Sequence, residues 1–247
     1  MASKQRQLQR WSSLRQPVIS KLICYICDYE GATSTYKIRK ANDIFRAGEL
    51  IRYQCPTCET IFGDLRFLSL TRDEINKDYE DVYSYYNEGD TSSYILSVLN
   101  DIDVCKDKTK TYLDYACGKW NTVIPTLRDK GYDIIGYDKF VSGNSYTTNQ
   151  LPLTQYDIVY NCNYIEHVIE PYKDLGEIVS LVKSGGHVLF ITACFEYCIE
   201  FTHYHTFFFN DKSLEHLANK LGLIPIFSKK YTFTNGEFTI AKLFKKR

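Results

Sequence analysis

The stretch Tyr112-Leu113-Asp114-Tyr115-Ala116-Cys117-Gly118-Lys119-Trp120 decides the fold of this chain. Thr111-Tyr112-Leu113-Asp114 is short, apolar and aromatic, as a buried strand is. It runs through small residues into a helical pattern over 123–130, which Gly131 stops. Such a turn lets backbone N–H groups approach a ligand, and the helix N-terminus favours negative charge. A second strand over 133–138 ends in Gly136-Tyr137-Asp138. An acid at that point is placed to accept hydrogen bonds from both hydroxyls of a ribose. A strand-ending Asp also caps turns, so it is the ordered combination that points to a nucleotide.

Further along, strands are expected at 156–161 and 187–192. Helices are expected at 174–182, ending at Ser184-Gly185-Gly186, and at 213–221, ending at Gly222. Two last strands, around 224–230 and 237–244, flank Thr234-Asn235-Gly236 and read as an antiparallel hairpin at one edge. Strand–helix alternation of this kind builds a mainly parallel α/β sheet covered on both faces. Ahead of it lies a helical, tyrosine-rich stretch, with Asp90-Thr91-Ser92-Ser93 as a helix start inside it. The expected organisation is a basic tail (1–16), a four-cysteine module (17–72), a helical linker or lid (73–110) and an α/β domain (111–247).

Cys24-Tyr-Ile-Cys27 and Cys55-Pro-Thr-Cys58 are two CxxC knuckles. Thiolates two residues apart bind one ion from a tight turn, and two knuckles complete a tetrahedral S4 site. Structural zinc in a small zinc-ribbon-like module is the expectation, with iron in a rubredoxin-like site fitting the same geometry. Four protein ligands close the site, so its role is structural rather than catalytic.

Composition sets the outer bounds. The 247 residues are 44% hydrophobic and 24% charged, with nine cysteines and zero formal net charge. Zero charge disfavours nucleic acid as a partner. The basic ends (Lys4, Arg6, Arg10, Arg15 and Lys21 before the first acid, Asp28, and the chain from Lys229 on) read as solvated ends. No apolar run approaches the roughly 20 residues of a membrane span, and the basic start has no apolar core of a secretory signal. With close cysteine pairs, this places the chain in a reducing, cytoplasmic compartment. Oligomeric state leaves no signal in the sequence.

The α/β half resembles class I S-adenosylmethionine (SAM) dependent methyltransferases. Leu113-Asp114-Tyr115-Ala116-Cys117-Gly118 is similar to their first motif, commonly LDxGCGxG, and Gly136-Tyr137-Asp138 to their ribose-binding acid. Tyr156-Asp157-Ile158-Val159-Tyr160 followed by Ile165-Glu166-His167-Val168 resembles FDxV…EHV at the fourth strand. Leu181-Val182-Lys183-Ser184-Gly185-Gly186 resembles LKPGG before the fifth. His203-Tyr204-His205-Thr206-Phe207-Phe208 with Ser213-Leu214 resembles the H…FF…SL segment near the active site. The resemblance covers 111–247. A branch with an N-terminal cysteine module acts on sugars and other small metabolites.

The resemblance implies a Rossmann-like, seven-stranded, mainly parallel sheet with SAM at Asp114, Ala116, Gly118 and Asp138. Asn163 and Tyr164 would line the cofactor, and Tyr86 or Tyr85 would close over it. Asn149 or a backbone group would replace the usual adenine-contacting acid. Ala116 and Trp120 stand where the family has glycine, and bulky Trp120 either points away from the methionine end or tightens the loop. His203 and His205 are candidate general bases, with Glu196 and His167 as further candidates. The two histidines alternatively bind a metal or serve structure, and Cys194 and Cys198 read as packing residues.

A small-molecule acceptor is expected, by analogy O-methylation of a sugar or nucleotide-sugar. Asn161-Cys162-Asn163-Tyr164 lacks the prolines of enzymes that methylate exocyclic amines of bases. The competing readings are an RNA or protein methyltransferase that recruits substrate through the metal module and basic ends, and a non-catalytic binding protein of the same fold.

Overall fold

The computed structural model describes all residues except 1–3, 6–9, 12, 47, 87–88, 120–121, 142, 144, 196–201 and 233–237. In chain order the elements used below are β1 (Lys21–Ile23), β2 (Glu30–Ala32), β3 (Lys37–Asn42), β4 (Glu49–Gln54), β5 (Ile61–Gly63), α1 (Leu65–Leu68) and α2 (Arg72–Tyr83). Then come α3 (Ser92–Asp101), β6 (Thr111–Tyr115), α4 (Val123–Asp129), β7 (Asp133–Tyr137), β8 (Thr147–Thr148) and β9 (Tyr156–Cys162). The chain finishes with α5 (Pro171–Ser180), β10 (Val182–Thr192), β11 (Phe207–Phe208), α6 (Asp211–Lys220), β12 (Leu223–Thr232) and β13 (Phe238–Lys246). They form two compact units. The first comprises Met1–Asn87, Glu166–Pro171 and Cys194–Leu217, the second Glu88–Ile165, Tyr172–Ala193 and Ala218–Arg247.

The second unit is built on a seven-stranded sheet ordered β12-β13-β10-β9-β6-β7-β8. Strands β8, β7, β6, β9 and β10 pair in parallel. Strand β13 is antiparallel to both of its neighbours, β10 and β12. The expected terminal hairpin is present, with its second strand inserted in the sheet and β12 at the edge; Thr234-Asn235-Gly236 lie outside the described residues. From β6 the order runs one way to β7 and the other way to β9. That reversal opens the crevice where ligands bind in such sheets.

Alternation along the strands assigns the two faces. Tyr112, Ile158, Tyr160, Leu189 and Ile191 form one cluster with Ile95, Val98 and Leu99 of α3 and with Ile124 and Leu127 of α4. Each such aliphatic side chain contributes about 1.5–3 kcal/mol by leaving water. Tyr115 points to the opposite face, where its hydroxyl donates to Glu177 of α5. At the base of the sheet, Asp157 accepts from the backbone N–H of Thr111 at 2.9 Å and from Lys183 Nζ at 2.8 Å, tying β6, β9 and β10 together.

One expected boundary is corrected. The helix placed at 174–182 runs instead from Pro171 to Ser180, and Val182 already belongs to β10. Proline at the first helical position has its φ preset and loses no hydrogen bond there, which favours the earlier start. Ser184-Gly185-Gly186 is an irregularity inside β10, where the register against β9 shifts between Val182 and His187.

In the first unit, β11, β5, β4 and β3 form an antiparallel sheet and β1 and β2 a separate pair. Helix α2 opens with a capping box in which the Thr71 side chain accepts from the Glu74 N–H and Glu74 accepts from the Thr71 N–H. Trp11, in the stretch expected to be a solvated tail, is 1% exposed. It stacks on Phe67 and its indole N–H donates to Asp78 at 3.0 Å. An indole buries a large apolar area and finds a partner for its N–H, which outweighs the polar character of its neighbours.

Candidate active site and metal centre

The carboxyl ends of β6, β7 and β9 carry the first group of expected site residues. After β6 the chain turns through Ala116 (φ +58°) and Gly118 (φ +63°), both left-handed. Glycine adopts that conformation freely, and a Cβ on Gly118 would meet nothing within 4 Å. The turn therefore leaves open space above its backbone. Gly136 has the opposite reason to be glycine: a Cβ there would lie 2.5 Å from Ile124 Cδ1 and 2.7 Å from Cys117 Sγ.

Two buried carboxylates flank this loop. Asp114 is 1% exposed and accepts from the Tyr160 hydroxyl at 3.1 Å. Burial, reinforced by the Asp114 charge, holds the Tyr160 phenol protonated and so a donor. Asp138 is 3% exposed; its Oδ2 accepts from Gly118 N at 3.0 Å and its Oδ1 from Phe140 N at 2.8 Å. Burial raises its pKa, against the lowering effect of those backbone bonds. Burial, and then the Asp114 and Asp138 charges, raise the pKa of the Cys117 thiol. Asn163 is exposed with φ +52°, and its N–H donates to Ile191 O at 2.8 Å. Half-buried Tyr164 packs edge-on to Tyr115, ring centroids 5.2 Å apart. Asn149 is exposed directly after β8, whose Thr148 carbonyl accepts the Asp138 N–H at 3.0 Å.

The remaining candidates belong to the first unit. His203 is buried; Asp43 accepts its backbone N–H at 2.9 Å and pairs with its Nδ1 at 3.0 Å. Its Nε2 finds no partner among the described residues, and its ring lies against Trp11 and Tyr204. Burial lowers its pKa, against the raising effect of Asp43. His167 Nδ1 pairs with the Tyr204 carbonyl at 3.0 Å, and burial lowers that imidazole to about 4. His205 Nδ1 stands 3.1 Å from Cys194 Sγ. Tyr86 packs edge-on to Phe45. Glu196, Cys198 and Trp120 lie outside the described residues.

The four knuckle cysteines converge, their Sγ atoms within 4.8 Å of one another. Both knuckles have the same construction. Ile26 N points at Cys24 Sγ and Thr57 N at Cys55 Sγ, each at 3.4 Å, and the turns close through left-handed Asp28 and Glu59. Cys24 and Cys58 are 3.5 Å apart, Cys27 and Cys55 3.6 Å. Tetrahedral zinc with Zn–S of about 2.3 Å separates its sulfurs by about 3.8 Å, so the cluster is sized for one metal ion. Hydrogen bonding with Cys24 and then Cys58 lowers Cys55, while hydrogen bonding with Cys24 and then Cys55 raises Cys58. Among the described residues, none of the eight cysteines forms a disulfide.

Several of these partners escaped the sequence. Tyr160 was read as a strand residue and Asp43 carried no signal. Asn161 is fully buried, and among the described residues neither atom of its amide has a partner. Arg52, inside the strand Leu50-Ile51-Arg52-Tyr53, is fully buried and donates to Thr202 O at 2.7 Å and His205 O at 3.2 Å. A lone arginine in an apolar strand was the available signal.

The fold and the loop between buried carboxylates define a doubly wound α/β enzyme. A family described as "Methyltransferase domain" matches residues 91–226, more than half of the chain. The chain belongs to this methyltransferase family. Among solved structures it is similar to the Burkholderia thailandensis 1,6-didemethyltoxoflavin-N1-methyltransferase with bound 1,6-didemethyltoxoflavin and S-adenosylhomocysteine. That pair is 12% identical, with 80% of this chain and 95% of that chain covered and a TM-score of 0.54. It is also similar to the magnesium protoporphyrin IX methyltransferase of Synechocystis PCC 6803 with bound SAM: 13% identity, 73% and 97% covered, TM-score 0.51. No curated protein matches the sequence. No helix among the described residues is long and apolar enough to cross a membrane.

Proposed function

We propose that this chain is a SAM-dependent methyltransferase of a small-molecule acceptor, by analogy O-methylating a sugar or nucleotide-sugar in a reducing, cytoplasmic compartment. The observation that carries the proposal is the open left-handed turn at Gly118 between the carboxylates of Asp114 and Asp138 at the switch point of the sheet. The residues fit the cofactor. The Asp138 carboxylate accepts from Gly118 N on Oδ2 and Phe140 N on Oδ1, with Val141 N as a further backbone donor, and a carboxylate has about four lone-pair sites, which leaves capacity for a ribose hydroxyl. Two buried anions beside the turn complement a ligand that carries an ammonium and a sulfonium. Asn163, Tyr164 and Asn149 extend the same end of the sheet.

When bound, SAM supplies an activated methyl group for in-line displacement. The chain's own contribution is alignment and, for a hydroxyl acceptor, removal of a proton. Of the candidate bases, His203 is the one whose Nδ1 is fixed by a carboxylate, that of Asp43, with Nε2 unpartnered among the described residues. The four knuckle cysteines are assigned structural zinc, with iron as the alternative that metal analysis decides, and the cysteine stretch 17–72 acts as a stabilising module ahead of the 111–247 domain.

Incubation with SAM and a panel of sugars and nucleotide-sugars tests the acceptor class. Release of S-adenosylhomocysteine with a methylated product supports it. Release stimulated only by RNA or a protein would move the chain to the second reading.

A further inference from the structure

Among the described residues, the first unit brings together one more set of metal-ligating side chains apart from the four-cysteine cluster. Glu166, Cys194 and His205 each offer one ligand atom, and these atoms all lie within 4.8 Å of one another. Glu166 is 1% exposed and Cys194 fully buried, while His205 is half-buried.

The three side chains are held by backbone contacts rather than left to loop mobility. Thr206, next to His205, donates its N–H to Glu166 O at 2.7 Å and its hydroxyl to the same oxygen at 3.0 Å. The Phe209 N–H donates to Cys194 O at 3.3 Å, and Phe195 bridges to Phe209. Arg52 holds the His205 carbonyl from beneath, and Gly63 N donates to Thr206 O at 3.0 Å, fixing the segment to the end of β5. Three ligands on three chain segments, cross-tied by main-chain bonds, are the rigid support a metal site needs.

We propose that Glu166, Cys194 and His205 bind a zinc-class divalent cation, at a site separate from the four-cysteine cluster. Cys194 Sγ and His205 Nδ1 are at hydrogen-bond distance, 3.1 Å, and a shift of about 0.5 Å would bring them to the roughly 3.6 Å that sulfur and nitrogen keep on one tetrahedral zinc. Sulfur, nitrogen and oxygen together form the borderline donor set that zinc accepts and that magnesium or calcium does not favour. Three protein ligands leave a fourth position for water or for an oxygen of a small-molecule ligand, whereas the four-cysteine site is closed. The assignment does not depend on the SAM proposal.

The test is metal content of the full-length protein, loaded with Zn2+ and dialysed, compared with Cys194→Ser and His205→Asn. The expected result is two equivalents in the wild type and loss of one in each variant, with an unchanged far-ultraviolet circular dichroism spectrum. A variant that fails to fold is replaced by Glu166→Gln, read as at least tenfold weaker retention of the second zinc against a competing chelator. If all variants hold as much zinc as the wild type, the proposal is overturned. A wild type with one equivalent, removed by Cys58→Ser and retained by Cys194→Ser, overturns it as well.

Discussion

Asp138 shows how burial and hydrogen bonding define a ligand site at the level of one residue. Its carboxylate closes the Gly118 turn and faces the switch point. Loss of the charge-assisted hydrogen bonding to ribose removes about 3 kcal/mol, so Asp138→Ala should raise the SAM dissociation constant about 100-fold by calorimetry. The pKa raised by burial sets a pH dependence. Only the ionised carboxylate accepts from a ribose hydroxyl with its full charge, so affinity should fall on acidification, starting above the pH at which an ordinary aspartate protonates. Wild-type affinity that stays flat from pH 7 to 4 would refute the ribose assignment. At Gly136, an added methyl would push into Ile124 and Cys117. Gly136→Ala should therefore lower stability by about 1–3 kcal/mol in urea unfolding. His203→Gln should lower kcat while leaving SAM affinity near the wild-type value; an unchanged kcat would remove His203 as the base.

At the scale of elements, the bond network at Asp157 joins three strands of the sheet. Burial works against ionisation, but the hydrogen bond from Lys183 and those from Thr111 outweigh it and hold the carboxyl at about 2. A folded pKa below the unfolded value stabilises the protein above about pH 4, and that contribution disappears as pH falls towards 2. Asp157→Asn should thus cost about 1–2 kcal/mol at neutral pH. The gap to wild type should close between pH 4 and 2, and a gap that stays constant would contradict the linkage. Most of these strands were legible because apolar runs end at turn residues, as 111–114 and 156–161 do. The start of α5 was not, since Pro171 reads equally as a breaker and as a first helical residue. The insertion of β13 between β10 and β12 was not legible either, because neighbours in sequence do not fix neighbours in a sheet. The cofactor-loop residues were legible from their order, whereas Asp43, Tyr160 and Glu166 acquire their roles only through contacts distant in sequence.

Across the whole molecule, the two units divide the chemistry. The second unit supplies the sheet and the Gly118 turn. The first gathers the cysteine knuckles, the aromatic cluster around Trp11 and the histidine segment 202–206, which sequence alone had placed with the α/β domain. If the cysteines hold zinc, chelation should destabilise the first unit by several kcal/mol. Thermal unfolding with and without a strong chelator checks this, and identical transitions would count against a structural metal. The central claim, that the Gly118 turn between Asp114 and Asp138 binds SAM, is tested most directly by isothermal titration of the full chain with SAM. The account predicts one-to-one binding that Asp138→Ala weakens about 100-fold. Absence of both binding heat and thermal shift, or equal affinity in the variant, would contradict it.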